Sequence, residues 1–177
     1  GVCNGDADVD CAGVCEGEAI ADACGVREGS ETDPNNCFEN NTLTLSDANI
    51  NAGESTALDI GLFNIDEVYG FQMDIMDWPN YGDFSSDVTP TERSEHMMIS
   101  ANVQPDGTLR IVGFSLSQDP IVSGTGPILG ITYTSTGIYD SEIEISFIGG
   151  NNTILSSQAG TALEYISESG TVTVDGE

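Results

Sequence analysis

Apolar and polar residues alternate in short segments through most of the chain after residue 41. In Phe71–Ile75 the odd-numbered residues are apolar and are predicted to face inward, whereas Gln72 and Asp74 are predicted to face solvent. The segment 142–147 repeats this period of two. No long stretch shows the 3.6-residue period of an amphipathic helix. The pattern therefore predicts β-strands that each bury one face.

Turn residues divide these segments into nine expected strands. Their bounds are 42–45, 56–63, 69–78, 97–103, 108–116, 127–134, 142–148, 162–167 and 171–174. Asp106-Gly107 is a strong hairpin signal between two of them, and Ser169-Gly170 suggests another hairpin. Short strands at this spacing predict an all-β fold, an antiparallel two-sheet β-sandwich around one core.

Charge restricts the possible partners. The 177 residues include 30 Asp and Glu but only 3 Arg and no Lys, which gives a formal net charge of −27. Nucleic-acid binding needs clustered Lys and Arg, so nucleic acid is excluded as a partner. No stretch approaches the roughly 18 apolar residues of a membrane span. Repulsion among so many carboxylates opposes a compact fold unless bound cations offset it.

The first part of the chain contains a repeat. Motifs of the type Gly-Val-x-x-Gly begin at residues 1, 13 and 25, with cysteine at the third position in the first two copies. Residues 30–41 contain a proline and paired asparagines without apolar periodicity, which is typical of a linker. We therefore expect an acidic, Cys/Gly-rich segment and linker over 1–38, followed by the β-sandwich over 39–177.

Oxygen-bearing side chains in this repeat are spaced as calcium ligands. Calcium takes six to eight oxygen ligands, and short loops supply them from alternate residues, with glycine allowing tight turns. A solvated acidic loop is the alternative. Calcium is favoured because charge, glycine and cysteine share one period. The expected ligands are Asn4, Asp6, Asp8, Asp10, Glu16, Glu18, Asp22 and Glu28.

All five cysteines lie within the first 37 residues, where disulfides would staple a segment too small to have its own core. Zinc is disfavoured because there is no C-x-x-C spacing and the single histidine, His96, is remote. Five cysteines cannot all pair within one chain, and Cys3 is expected to be free or intermolecular. The pairing stays open among Cys11, Cys15, Cys24 and Cys37.

Two stretches of the leading segment carry a resemblance to known repeats. The sequence D-C-A-G-V-C-E-G at residues 10–17 and the sequence D-A-C-G-V at 22–26 resemble D-C-x-G-x-C-x-G repeats of secreted bacterial proteins. Those repeats are similar to thrombospondin type 3 calcium repeats. Arg27 stands where the repeat would place another cysteine. The resemblance implies a calcium-stabilised protein, extracellular or on the cell surface of a bacterium or archaeon.

Five motifs in the rest of the chain resemble another family. They are L-S-D at 45–47, N-A-G-E at 51–54, V-Y-G-F-Q-M-D-I at 68–75, G-T-L-R-I-V-G-F-S at 107–115 and G-P-I-L at 126–129. Together they resemble cohesin modules, and the resemblance spans about 41–175. It implies a cohesin-like, jelly-roll-type sandwich and a dockerin as partner, although no dockerin-binding signature matches residue by residue.

Residues suited to catalysis are few. A lone histidine such as His96 beside a strand is far more often structural or exposed than catalytic, and no lysine, G-x-S-x-G or H-E-x-x-H motif occurs. Abundant carboxylates do not by themselves define a glycosidase pair. We therefore predict a protein that is not an enzyme.

Three functions remain, and the repeat and the odd cysteine favour the first. It is a structural protein whose calcium-stiffened repeats join sandwiches head to tail into filaments or a matrix. Its partners would be copies of itself or neighbouring modules, with 42–45 or 170–174 pairing across a sheet edge. The second is a cohesin that binds dockerin-bearing secreted enzymes. The third is carbohydrate binding, although strand aromatics more often belong to the core. The aromatics considered are Tyr69, Phe71, Trp78 and Tyr81.

Overall fold

The computed structural model describes residues 40–136 and 140–175. These residues form two β-sheets, which confirms the predicted all-β sandwich. A 3₁₀ turn covers Gly150–Asn152, and no helix in the described ranges is long and apolar enough to cross a membrane. The strands are β1 Asn41–Leu45, β2 Ala48–Asn51, β3 Ser55–Phe63, β4 Gly70–Trp78, β5 Gly82–Phe84, β6 Thr89–Pro90, β7 Met98–Val103, β8 Leu109–Phe114, β9 Pro127–Ser135, β10 Ser141–Phe147, β11 Ile154–Ser156, β12 Ala162–Leu163, β13 Tyr165–Glu168 and β14 Gly170–Asp175.

The two sheets have different centres. The first sheet runs β13-β1-β3-β9-β5, and β6 also pairs with β9. The second sheet is built around β4, which pairs with β8 along one edge and with β10 and β11 along the other. From there it extends through β8 to β7 and through β10 to β14 and β2. The β1–β13 and β14–β2 pairs are parallel, and the other strand pairs within the described chain are antiparallel.

The core lies between the sheets and is filled by the alternate residues of their strands. Phe71, Met73 and Ile75 of β4 are buried, as predicted from the period of two. Ile111 of β8 and Ile60 of β3 are fully buried as well. Burial of each such side chain contributes about 1.5 to 3 kcal/mol, so this alternation is the main source of stability for the sandwich.

The predicted hairpin at Asp106-Gly107 is confirmed. β7 and β8 pair antiparallel, with Val103 opposite Leu109. Gly107 has φ of +90°, a conformation that glycine adopts readily, and its N–H donates to the Gln104 carbonyl oxygen at 3.0 Å. The turn residues therefore fix which side chains of β7 and β8 lie opposite one another.

The hairpin predicted at Ser169-Gly170 is wrong. β13 belongs to the first sheet and β14 to the second, so Ser169 carries the chain across from one sheet to the other. Gly170 lies against the backbone oxygens of Leu45 and Ser46, where any side chain would overlap them. A crossing segment this tight requires glycine for close approach rather than for a hairpin turn.

The two segments that were expected to pair across sheet edges are interior strands of their sheets. The segments proposed for edge pairing, 42–45 and 170–174, lie in β1 and β14. β1 is flanked by β3 and β13, and β14 is flanked by β10 and β2, so both have neighbours on each side. Because their backbone hydrogen-bonding groups already face neighbouring strands, neither segment can accept another strand without displacing one of its own.

Candidate protein-binding face

The residues predicted to bind calcium and the five cysteines lie between residues 3 and 37, outside the part of the chain that the structure describes. The boundary expected between residues 38 and 39 lies outside it too. Within 40–136 and 140–175, no group of three or more His, Cys, Asp or Glu side chains is arranged to hold a metal ion. The calcium ligands, the disulfides and the boundary therefore stay predictions.

Three apolar side chains lie together on the outer face of the second sheet, which is the face turned away from the core. Met98 on β7 is directly opposite Phe114 on β8, and Val112 is one outward position along from Phe114. The side chain of Met98 is 55% exposed, that of Phe114 is 45% exposed and that of Val112 is 36% exposed. Cross-strand neighbours on one face lie about 4.5 to 5.5 Å apart at Cβ, so the three form one contiguous surface. We call Met98, Val112 and Phe114 the apolar patch.

The sequence of β8 explains why these residues face outward. Leu109 and Ile111 occupy the inward positions and are fully buried, which leaves Val112 and Phe114 on the opposite face. Gly113 takes the next inward position, because a side chain there would overlap the ring of Phe71. The core therefore fixes the orientation of β8 and exposes the patch.

An ion pair lies beside the apolar patch on the same face. The Arg110 guanidinium donates from Nε to Oδ1 of Asp74 at 2.7 Å and from Nη2 to Oδ2 at 2.5 Å. Asp74 had been expected to face solvent. Its side chain does point to the outer face, but Arg110 covers it and leaves it 4% exposed. These hydrogen bonds and the carboxylate charge raise the pKa of Arg110.

A second buried carboxylate ties the two sheets together. Asp77 of β4 accepts a hydrogen bond from Oη of Tyr133 on β9 at 2.7 Å and another from the backbone N–H of Tyr81 at 3.1 Å. Burial, and then the hydrogen bond to Asp77, raise the pKa of Tyr133 far above its usual value of 10. The pair fixes the end of β4 against the first sheet.

The second arginine of the described chain is also committed to structure. Arg93 is half-buried, and burial lowers the pKa of its guanidinium. It donates four hydrogen bonds of 2.6 to 3.2 Å to the backbone oxygens of Leu62, Val122 and Gly126 and to Oδ1 of Asn64. Arg93 therefore fastens the loop after β8 to the end of β3, and it does not contribute a free cation to the outer face.

Sequence reasoning placed the four strand aromatics in the core as a group, but the structure separates them. Phe71 is buried, whereas Trp78 at the end of β4 is 67% exposed. His96 is exposed in the turn before β7, and its imidazole makes no hydrogen bond with any described residue. The apolar patch was missed because β8 has adjacent apolar residues, Ile111 and Val112, and sequence alone does not say which faces the core.

Comparison with known proteins identifies the architecture. No protein-family model and no curated protein matches the chain. Among solved structures, a non-cellulosomal cohesin from the hyperthermophilic archaeon Archaeoglobus fulgidus has a TM-score of 0.64 at 16% identity, covering 77% of this chain and 92% of that one. A type I cohesin in a cohesin–dockerin complex from Clostridium thermocellum has a TM-score of 0.66 at 11% identity, covering 77% of this chain and 99% of that one.

A third solved structure adds to these two. A cohesin from Clostridium acetobutylicum has a TM-score of 0.60 at 17% identity, and the match covers 77% of this chain and 93% of that one. All three matches extend over nearly the whole of the known module, whereas their sequence identities are low. The likeness is therefore one of fold, and the β-sandwich of this chain has the cohesin fold.

Proposed function

We propose that the β-sandwich is a non-enzymatic protein-binding module of a secreted or cell-surface protein, and that its outer face docks a dockerin-type partner. The observation that carries the proposal is the apolar patch, in which three side chains on paired strands are exposed side by side. Exposed apolar side chains that are contiguous, rather than scattered singly, are a common mark of a protein-interaction surface. Several solved structures with this fold are described as cohesin–dockerin complexes, which supports a partner of that class.

The charges on the outer face indicate which charges the surface of the partner should carry. Glu142 and Glu144 of β10 alternate with buried isoleucines and so face outward, and both are exposed. Arg93 and Arg110 are already engaged in contacts within the domain. Glu144 lies opposite Trp78, at the other end of the face from Phe114. We therefore expect a partner whose contact surface is apolar at one end and basic towards the other. Such a charge arrangement mainly accelerates association and makes it dependent on salt.

Filament assembly receives less support from the described domain, because the two segments expected to pair across sheet edges are interior strands. We retain calcium binding by residues 1–38 as a separate proposal, which is supported by the 12-residue spacing of its glycines, cysteines and carboxylates. A calcium-stiffened segment would hold the sandwich at a fixed distance from a neighbouring module. This role is compatible with partner binding by the outer face.

A substitution in the patch tests the proposal. Phe114→Glu in the full chain should weaken binding to a panel of dockerins from the source organism by at least about 30-fold, the effect of an interface hot spot. The matched control is Ile166→Glu on β13 of the first sheet, where the isoleucine is 49% exposed. Biolayer interferometry measures both, and circular dichroism checks the fold.

Two results would refute the proposal. One is that the wild-type chain binds no member of the dockerin panel at micromolar concentration. The other is that Phe114→Glu and Ile166→Glu weaken binding equally, which would show that the effect comes from added charge rather than from loss of the outer-face contact.

A further inference from the structure

A groove runs along the outer face from the end of β4 at Trp78 to the ion pair of Asp74 and Arg110. It consists of two adjoining cavities of about 320 and 440 Å³, which share Asp106, Thr108 and Ile148 in their walls. Trp78 and Asn80 line the first cavity, and Gln104 and Arg110 line the second. Both volumes fall in the range of small-ligand sites, which is about 300 to 1,000 Å³.

Trp78 is the distinctive residue of this groove. It is the single tryptophan of the chain and its side chain is 67% exposed, although large aromatic side chains are among the most valuable to bury. The neighbouring odd-numbered residues of β4 that face the core are fully covered. An indole ring left open beside a cavity offers a flat apolar platform with one N–H donor at its edge.

The groove also carries polar groups that are available to a ligand. The side-chain amides of Asn80 and Gln104 make no hydrogen bond with any residue in the described ranges. Asp106 is held in place, because its Oδ1 accepts from the backbone N–H of Thr108 at 3.0 Å. Asp106 and Gln104 sit on the β7–β8 turn, whose backbone hydrogen bonds make it a rigid support. The groove therefore offers one fixed carboxylate, that of Asp106, together with two amides whose hydrogen-bonding groups are open to a ligand.

This combination matches one class of ligand. A pyranose ring with equatorial hydroxyl groups presents a flat face of C–H groups that packs on an aromatic ring, while its hydroxyl groups hydrogen-bond to amides and carboxylates at the rim. An anionic ligand is disfavoured by the chain's net charge of −27. For a cation, two of the carboxylates in the groove walls are already engaged, Asp74 with Arg110 and Asp77 with Tyr133, and no described group of three or more carboxylates is arranged to hold a metal ion. We propose that the groove binds a neutral oligosaccharide, with Trp78 as the stacking platform.

Trp78 lies far from Phe114 on the outer face. Phe114 lies opposite Gly70 at the start of β4, whereas Trp78 ends that strand. Eight residues of extended chain span about 26 Å, so a sugar at Trp78 does not contact the apolar patch. The second cavity reaches Arg110, two residues from Val112 on β8, so substitutions at Trp78 and at Phe114, at the two ends of the face, distinguish the two sites.

Affinity electrophoresis of the full chain tests the groove. The gels contain a soluble neutral polysaccharide, namely hydroxyethyl cellulose, xyloglucan or galactomannan, and a gel with anionic polygalacturonate serves for comparison. We expect at least one neutral polymer to retard the wild-type chain and polygalacturonate not to do so. Trp78→Ala should weaken that binding at least tenfold, whereas Trp78→Tyr should retain part of it because an aromatic platform is kept.

The matched control is Phe114→Ala, which removes an exposed aromatic ring from the same face outside the groove. It should leave saccharide binding unchanged. A shift of tryptophan fluorescence on titration with the retarding polymer would report on the groove directly, because Trp78 is the single tryptophan. The inference is overturned if no neutral polymer retards the wild type, if Trp78→Ala binds as the wild type does, or if Phe114→Ala weakens binding as much. None of these outcomes bears on dockerin binding by the apolar patch.

Discussion

Replacement of Arg110 by methionine should destabilise the sandwich, because it leaves the Asp74 carboxylate without its counter-charge. Asp74 is 4% exposed and accepts two hydrogen bonds from Arg110, at 2.7 and 2.5 Å. Methionine keeps much of the apolar stem that covers the sheet, so the variant removes mainly the charge and the donors.

The expected magnitude follows from the exposure of the two partners. Removal of one member of a fully buried ion pair costs about 3 to 5 kcal/mol. Arg110 is 40% exposed, so water can reach Asp74 once the guanidinium is gone and recover part of that loss. We expect the free energy of unfolding to fall by about 2 to 3 kcal/mol. For a chain of this size the melting temperature should fall by about 4 to 12 °C.

Urea denaturation followed by far-UV circular dichroism at pH 7 measures this change. The matched control is the double variant Asp74→Asn with Arg110→Met, which removes the charge together with its partner. Its loss in free energy of unfolding should be smaller, by about 1 kcal/mol or more, than the summed losses of the single variants Asp74→Asn and Arg110→Met. An Arg110→Met variant within about 0.5 kcal/mol of the wild type, or strictly additive effects in the double variant, would refute the role assigned to this pair.

Two further predictions concern pH and metal. Tyr133 keeps its proton in the folded state above pH 10, whereas the unfolded chain loses it near 10. The folded state then binds more protons, so the free energy of unfolding should fall above pH 10 by up to about 1.4 kcal/mol per pH unit. Tyr133→Phe should show a shallower fall in alkaline urea titrations, and equal slopes would contradict the assignment. Addition of EDTA should lower the melting temperature in calorimetry if residues 1–38 bind calcium, and excess calcium should restore it; a metal-free protein that melts identically with and without EDTA would contradict calcium binding.

The parts of the fold that depend on local pattern were predictable from sequence. The period of two in β4 correctly placed Phe71, Met73 and Ile75 in the core, and the Asp106-Gly107 turn correctly predicted the β7–β8 hairpin. Both features are decided within a few residues of chain, by side-chain alternation and by the backbone freedom of glycine.

Features that depend on distant residues were not predictable. Asp74 is covered because Arg110, which is 36 residues away in sequence, lies opposite it on β8. The short strands β5 and β6 exist only because both pair with β9. Ser169-Gly170 has the composition of a hairpin turn, yet the strands on its two sides belong to different sheets. Each of these outcomes is set by tertiary pairing that local sequence does not contain.

The candidate site was likewise predictable from sequence only where local pattern decides the outcome, and not where tertiary packing does. Alternation in β8 limits the outward set to one of two registers, but only the packing of Leu109 and Ile111 against the core selects the register that exposes Phe114. The period of two in β4 already puts Trp78 on the outer face, with Gln72 and Asp74, but local sequence does not say whether another element covers the ring there.

Hydrogen exchange read by mass spectrometry, with and without the tightest-binding dockerin of the panel, tests the docking of a partner on the outer face most directly. The account predicts slower exchange in peptides covering β7 and β8, which are the strands of the apolar patch, and unchanged exchange in β3 and β13 of the first sheet. Protection confined to the first sheet, or no protection of β7 and β8 at saturating partner, would contradict it.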